Sequence, residues 1–170
     1  MHIMISTGGT GGHIFPAVAL MNAAKRRNII TSWIGRDHPL DRSILPKEHH
    51  QSAAFLPIQP LPKSVTTIIP WFWQLLKNLL KIRKEIKVHR PDLMLCMGGY
   101  VSFPLGIASI LFRIPLVLFE ANTCLGQANK ILKPFSSLLL YGLPPLAQQY
   151  PVDLVTGNPI HIYPPKSPKL

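Results

Sequence analysis

Three short stretches gather residues whose types and spacing can do chemistry. The first is Gly8-Gly9-Thr10-Gly11-Gly12-His13. It follows an apolar run, His2 to Ser6, that reads as a strand, and it precedes Ile14-Phe15-Pro16-Ala17-Val18-Ala19-Leu20, which opens a helix. Glycines this dense cost conformational entropy when they are ordered, so the fold or a ligand must need them. A strand, a glycine turn and a helix N-terminus together make an anion site, because bare backbone N–H groups and the positive end of the helix dipole converge there. Pro16 near the helix start fits, since the first turn has no use for a proline N–H. The second stretch is Met97-Gly98-Gly99-Tyr100-Val101-Ser102, another glycine turn after an apolar run, and the third is Glu120-Ala121-Asn122.

The first loop is not a P-loop, since no Lys-Ser/Thr pair follows its glycines. It is not a dinucleotide fingerprint either, because Ile14 stands where the third glycine belongs. Two readings remain: a phosphate cradle, or a tight turn that lets strand and helix pack closely. His13 at the helix mouth favours the cradle. A helix dipole disfavours the protonated form of a histidine held there, which suits a general base. The plainer role for His13 is a cap on the helix start.

Something must bring these stretches together. Ile14 to about Arg27 reads as a helix with Val18, Met21 and Ala24 buried and Lys25-Arg26-Arg27 at its C-terminus. Strands are expected at 29–34 (ended by Gly35), 53–58, 93–97, 114–119, 137–141 and 152–155, with a loop and short helix over 36–50 and a short helix over 127–133. Ser102 is placed to cap a helix with Pro104 in its first turn. Strands alternating with helices predict a Rossmann-like α/β domain with a parallel sheet. In such a sheet ligands bind beyond the carboxyl ends of the strands. All three stretches follow strands, so a parallel sheet places them on one rim.

The chain has 170 residues, 47% apolar and 15% charged, enough for a real core. No apolar run is long enough to span a membrane. The opening residues lack a charged start followed by a small-residue cleavage site. Cys96 and Cys124 show no pairing or Cys-x-x-Cys spacing, so free thiols in a reducing compartment are expected. Neither metal nor cofactor is indicated by the spacing. Eighteen Lys/Arg against seven Asp/Glu give a net charge of +11. That excess points to an anionic partner, or to a basic surface with no specific use. Nucleic acid is the weaker candidate, because no aromatic platform interleaves the basic residues.

The stretch 70–89 is the longest helix candidate, with Phe72, Leu75, Leu76, Leu79, Ile82 and Ile86 at three- and four-residue spacings. Lys77, Lys81, Lys84 and Lys87 run along another side, and Trp71, Trp73 and Leu80 widen the apolar face. The helix is either a core helix with a solvated basic face or a membrane-surface helix whose aromatics enter an anionic interface.

The motif Gly8-Gly9-Thr10-Gly11-Gly12-His13-Ile14-Phe15-Pro16 resembles the N-terminal signature of the MurG family of N-acetylglucosaminyltransferases. Met97 to Ser102, Glu120-x-Asn122, Asn129-Lys130 and Gly157-Asn158-Pro159 match further family motifs in the same order, spanning nearly all the chain. The resemblance implies the N-terminal half of a two-domain, GT-B-type glycosyltransferase, residues 1–158, with 159–170 as a proline-rich linker. It implies inverting transfer of GlcNAc from UDP-GlcNAc to undecaprenyl-diphosphate-linked MurNAc-pentapeptide during cell-wall synthesis, on the cytoplasmic face of the cell membrane. It implies His13 as base and Thr10, Gly11 and Gly12 near substrate phosphate or sugar. It also implies Gly98, Gly99 and Tyr100 at the acceptor diphosphate, and Asn122 in contact with substrate. Glu120 would contact substrate or orient its neighbours. A hydrophobic patch rimmed by basic residues, here Trp71, Trp73, Leu76, Lys77, Leu80, Lys81 and Lys84, would meet an anionic membrane.

Several positions depart from the family pattern: Phe119 and Ala121 where it has His and Gln, Phe103 where it has Gly, and His161 where it has Arg. The family's second domain, which carries most of the donor uridine site, is not part of this sequence, so the chain alone is expected not to turn over. The alternatives are a subunit of a split enzyme with the donor domain on another polypeptide, and a non-catalytic phosphate- or lipid-binding module.

Overall fold

Seven strands pair in the order β3-β2-β1-β4-β5-β6-β7, and every pairing is parallel. They are β1 His2–Ser6, β2 Ile30–Arg36, β3 Ala53–Leu56, β4 Leu93–Cys96, β5 Leu116–Glu120, β6 Leu138–Tyr141 and β7 Asp153–Val155. The helices are α1 Gly11–Arg26, α2 Pro39–Ile44, α3 Val65–His89, α4 Phe103–Phe112 and α5 Gln127–Leu132. This computed structural model describes residues 1–146 and 153–160. Val152, His161 and the rest of the proline-rich segment lie outside the described residues.

Parallel strands covered on both faces should be largely apolar, and the central β4, Leu93–Cys96, is apolar throughout. One face of the sheet packs Met4, Ile34, Met94, Cys96, Leu116, Leu118 and Leu139 against Leu75 and Ile82 of α3, Leu105 and Ala108 of α4, and Ala128 and Leu132 of α5. The other face packs Ile5, Trp33, Leu95 and Phe119 against Ile14, Ala17, Val18 and Met21 of α1. Each Val, Leu, Ile, Met or Phe side chain among them taken fully out of water contributes about 1.5–3 kcal/mol, before the entropy of ordering it. The order reverses direction between β1 and β4, which run side by side with Ser6 opposite Cys96. That pair is the topological switch point, where an open parallel sheet leaves a crevice for a ligand.

The element order is as the sequence implies, with informative differences. β2 does not stop at Gly35, because Gly35 and Arg36 continue the pairing opposite Phe55 and Leu56. α3 begins five residues before Pro70, which lies inside it. The first turn is held by Thr67, whose N–H and hydroxyl both donate to the Ser64 carbonyl, at 3.1 and 2.8 Å. The buried stripe of α3 is Leu75, Asn78 and Ile82, with Trp71, Leu79 and Ile86 packed beside it, whereas Phe72 points outward. Ser102 stands at the N-cap of α4, but its side chain makes no capping hydrogen bond there. It is fully buried and directs its hydroxyl to the carbonyls of Ser6 and Gly98, each at 2.8 Å, which ties the ends of β1 and β4 together. Phe103 is largely buried beside Trp71, with ring centroids 5.9 Å apart, and Phe119 lies in the core beneath the rim. Two of the departures from the family pattern thus fill apolar space.

Candidate active site at the switch point

The crevice is built by the loops after β1, β4 and β5. The first loop runs into α1 through Thr10, an extended N-cap whose side chain makes no capping hydrogen bond. The amides of Gly11 and Gly12, in the first turn, have no intrahelical carbonyl to bind. Thr10 and Gly12 are exposed and Gly11 half-buried. These donors face outward at the positive end of a 16-residue helix.

His13, one residue further, is half-buried and packs on the second loop. A Cβ at Gly98 would lie 3.1 Å from His13 Nδ1, and one at Gly99 would lie 3.6 Å from its Cδ2 and 3.2 Å from the Gly8 carbonyl. Both residues have positive φ, +87° and +72°, where side chains are strained. The second loop therefore needs glycine twice over, for its turn and for the ring beside it. His13 Nδ1 is buried with no hydrogen-bond partner. Packing, not a hydrogen bond to Nδ1, fixes the plane of this imidazole.

The third loop is organised by Glu120, which is 2% exposed at the end of β5. Its Oε1 accepts from the Asn122 N–H at 3.2 Å and from Asn122 Nδ2 at 3.1 Å. Its Oε2 accepts from the Gly126 N–H at 2.9 Å and from Asn129 Nδ2 at 3.0 Å. Four donors engage this carboxylate, which gives Glu120 the geometry of a loop organiser. Asn122 is exposed, with its amide held toward Glu120. Asn129, a motif residue with no role assigned from the sequence, also donates to the Phe119 carbonyl at 3.1 Å. That carbonyl is 3.5 Å from a Cβ placed on Gly98, so the second and third loops touch.

Sequence reasoning missed Arg36 and Asp41. Arg36 Nη2 meets Asp41 Oδ1 at 3.1 Å, and Arg36 Nη1 donates to the Tyr100 hydroxyl at 2.9 Å. The Asp41 side chain is fully buried. Burial lowers the Arg36 pKa, but the hydrogen bonds to Asp41 and Tyr100 outweigh it and the net shift is upward. The available signal was position, because β2 neighbours β1 and its C-terminal end shares the same rim.

The α3 face is a separate feature. Trp73 is 62% and Leu80 61% exposed, and with Leu76, Lys77, Leu79, Arg83, Leu111 and Phe112 they line an open apolar groove of about 360 Å³. Val65, Ile68, Ile69 and Phe72 extend the exposed apolar surface toward the helix start. Lys81 and Lys84 are exposed on the same helix. Trp71 does not belong to this face, because it turns inward against Phe103. No helix of the described residues is long and apolar enough to cross a membrane.

A parallel sheet with two glycine loops and a histidine at its switch point defines the class: a Rossmann-like α/β domain whose ligand crevice lies at the strand ends. The comparisons narrow it. Residues 3–137 match the glycosyltransferase family 28 N-terminal domain, and the chain belongs to that family. A relative from Histophilus somni is 35% identical over 159 residues, covering 93% of this chain and 43% of its own. Its name is UDP-N-acetylglucosamine--N-acetylmuramyl-(pentapeptide) pyrophosphoryl-undecaprenol N-acetylglucosamine transferase. A protein of the same name from Pseudoalteromonas translucida is 35% identical over 92% of this chain and 44% of its own. The crystal structure of Acinetobacter baumannii MurG superposes with a TM-score of 0.78 at 25% identity, covering 92% of this chain and 46% of that one. The UDP-GlcNAc 2-epimerase of Neisseria meningitidis, solved with UDP-GlcNAc, has a TM-score of 0.60 at 16% identity over 84% of this chain and 40% of its own, and shares the fold. The chain spans less than half the length of these relatives.

Proposed function

We propose that this domain is the acceptor-side half of an enzyme that transfers GlcNAc from UDP-GlcNAc to a lipid-linked MurNAc-pentapeptide. The observation that carries the reading is the His13 ring seated against Gly98 and Gly99, where the two glycine loops meet at the switch point. In the reaction the C4 hydroxyl of MurNAc attacks C1 of GlcNAc. The new C–O bond forms as the bond from C1 to the UDP oxygen breaks, with inversion, and the hydroxyl proton passes to His13. Because Nδ1 is buried against the second loop, Nε2 is the nitrogen that serves the substrate. The amides of Gly11 and Gly12, Thr10, and the second loop through Gly98, Gly99 and Tyr100 supply donors for phosphate and sugar oxygens. Asn122 is the third-loop contact, and Glu120 keeps that loop in shape. The uridine of the donor is bound by a second domain, on the same or another polypeptide.

The experiment measures transfer with a donor half supplied. His13→Ala leaves the backbone donors in place, so acceptor binding survives while the rate falls by roughly 10²–10⁴-fold, the usual worth of a positioned acid or base. Gly11→Val crowds the approach to the helix mouth, already 3.1 Å from Phe15 for a bare Cβ, and loses binding itself. Near-normal turnover of His13→Ala places the base elsewhere.

The exposed apolar and basic face of α3 supports docking on an anionic membrane surface. Anionic vesicles should bind the protein better than neutral ones, and less so in high salt. Changing Lys77, Lys81 and Lys84 to Gln should weaken that preference with the fold intact. Equal binding to both vesicle types removes the electrostatic part of this reading.

A further inference from the structure

The two glycine loops are coupled by a polar pair that lies behind them. Arg36 ends β2, and Asp41 sits in the first turn of α2 with its side chain wholly buried. A buried carboxylate needs a compensating charge, which Arg36 supplies at 3.1 Å. Asp41 Oδ2 also lies 3.4 Å from the Gly9 N–H and occupies the space a side chain at Gly8 would need. One carboxylate therefore braces the first loop.

The other end of the pair reaches the second loop. A guanidinium has only donors, so the Tyr100 oxygen must accept in its 2.9 Å contact with Arg36 Nη1. The phenolic proton is then left to donate in another direction. Tyr100 is half-buried at the second glycine loop, and its ring reaches the first, lying 3.5 Å from a Cβ placed on Gly9. We propose that Arg36 and Asp41 are positioning residues for the acceptor site: they lock the two glycine loops in register and set the Tyr100 hydroxyl as an obligate donor to an anionic oxygen of the acceptor diphosphate. This rests on the acceptor reading above. Neither Arg36 nor Asp41 touches the ligand in this arrangement.

The test is a double-mutant cycle on acceptor binding by the 170-residue chain. The probe is a short-chain, water-soluble diphosphate-linked MurNAc-pentapeptide, with Kd read by calorimetry. Arg36→Lys keeps a cation beside Asp41 but lacks the fork that spans carboxylate and phenol. Tyr100→Phe removes one oxygen and leaves the packing, so its melting temperature serves as the folding control. Tyr100→Phe should weaken binding by roughly 10–100-fold, the worth of one hydrogen bond to a charged group. Arg36→Lys should weaken binding by several-fold when Tyr100 is present, and not at all in the Tyr100→Phe background. A purely structural role would shift melting without this coupling in Kd. If Tyr100→Phe binds within about twofold of the parent, or if the two losses multiply, the positioning role is overturned while the acceptor reading stands. If the parent chain fails to bind the probe, both fall together.

Discussion

Glu120→Gln changes one atom of the third loop and nothing of its size. The parent carboxylate accepts four N–H donors, from Asn122 N, Asn122 Nδ2, Gly126 N and Asn129 Nδ2, between 2.9 and 3.2 Å. An amide has one acceptor oxygen, so whichever way it turns, two of those donors face an NH₂ group. A hydrogen bond to a charged group is worth about 1.5–3 kcal/mol, and one between neutral groups about 0.5–1.5 kcal/mol. Two bonds lost and two weakened, with some relaxation of the loop, come to roughly 3–5 kcal/mol. With a urea slope of about 2 kcal/mol/M, the unfolding midpoint should fall by roughly 1.5–2.5 M if the loop unfolds with the domain. If the loop opens by itself, the cost appears instead as lost hydrogen-exchange protection at the Asn122 and Gly126 amides, with the β-strand amides unchanged. The two measurements together are decisive. A midpoint within roughly 0.3 M of the parent, with protection at both amides retained, would refute the account of Glu120 as loop organiser.

Three further outcomes follow from the same geometry. Gly98→Ala puts a side chain at φ +87°, 3.1 Å from His13 Nδ1, so it should cost about 1–3 kcal/mol in a urea melt and displace the imidazole, with transfer falling far more than stability; unaltered transfer would sink the packing argument. Iodoacetamide at pH 8 should modify exposed Cys124 and spare Cys96, whose thiol is pushed up to about 12 by burial; a doubly labelled folded protein in the mass spectrum would contradict this. Burial holds His2 and His49 below their ordinary 6.5. The stability they contribute is present above 6.5 and lost as pH falls through their folded values, so the urea midpoint should drop from pH 7 to 5 and do so less steeply in His2→Gln.

How far the site could be read from the sequence depended on whether the signal was local. The two glycine loops were legible because a strand, a turn and a helix leave a period-and-breaker pattern within a dozen residues, and β1 lies where that pattern puts it. The shared rim followed from parallel pairing alone. The side on which Trp71 and Phe72 fall was not legible. Neighbours on a helix point about 100° apart, and both are aromatic, so only the position of Phe103 on α4 decides that Trp71 turns inward. Pro70 misled for a related reason. A proline suits a helix start, but the Ser64 and Thr67 contacts hold a turn before it.

The Arg36–Asp41 pair marks where local reading ends. Both residues sit in a polar stretch that reads as a loop with a short helix, and nothing in their spacing says that one is fully buried. What buries Asp41 is the first glycine loop, more than thirty positions earlier, and what occupies Arg36 is Tyr100, 64 positions later. The cost of enclosing that charge makes the pair informative. An Asp held without solvent contact destabilises the fold by several kcal/mol unless it is paired, so its partner cannot drift. Two loops tied to one such pair cannot move independently, and the crevice they frame keeps its shape before any ligand arrives. Glu120 repeats the device on the third loop, with amide donors in place of a guanidinium. The reactive-looking residues of this rim are therefore shaped by carboxylates that face inward. In the proposed transfer His13, packed against Gly98 with its Nδ1 unpartnered, is the rim residue that takes the proton.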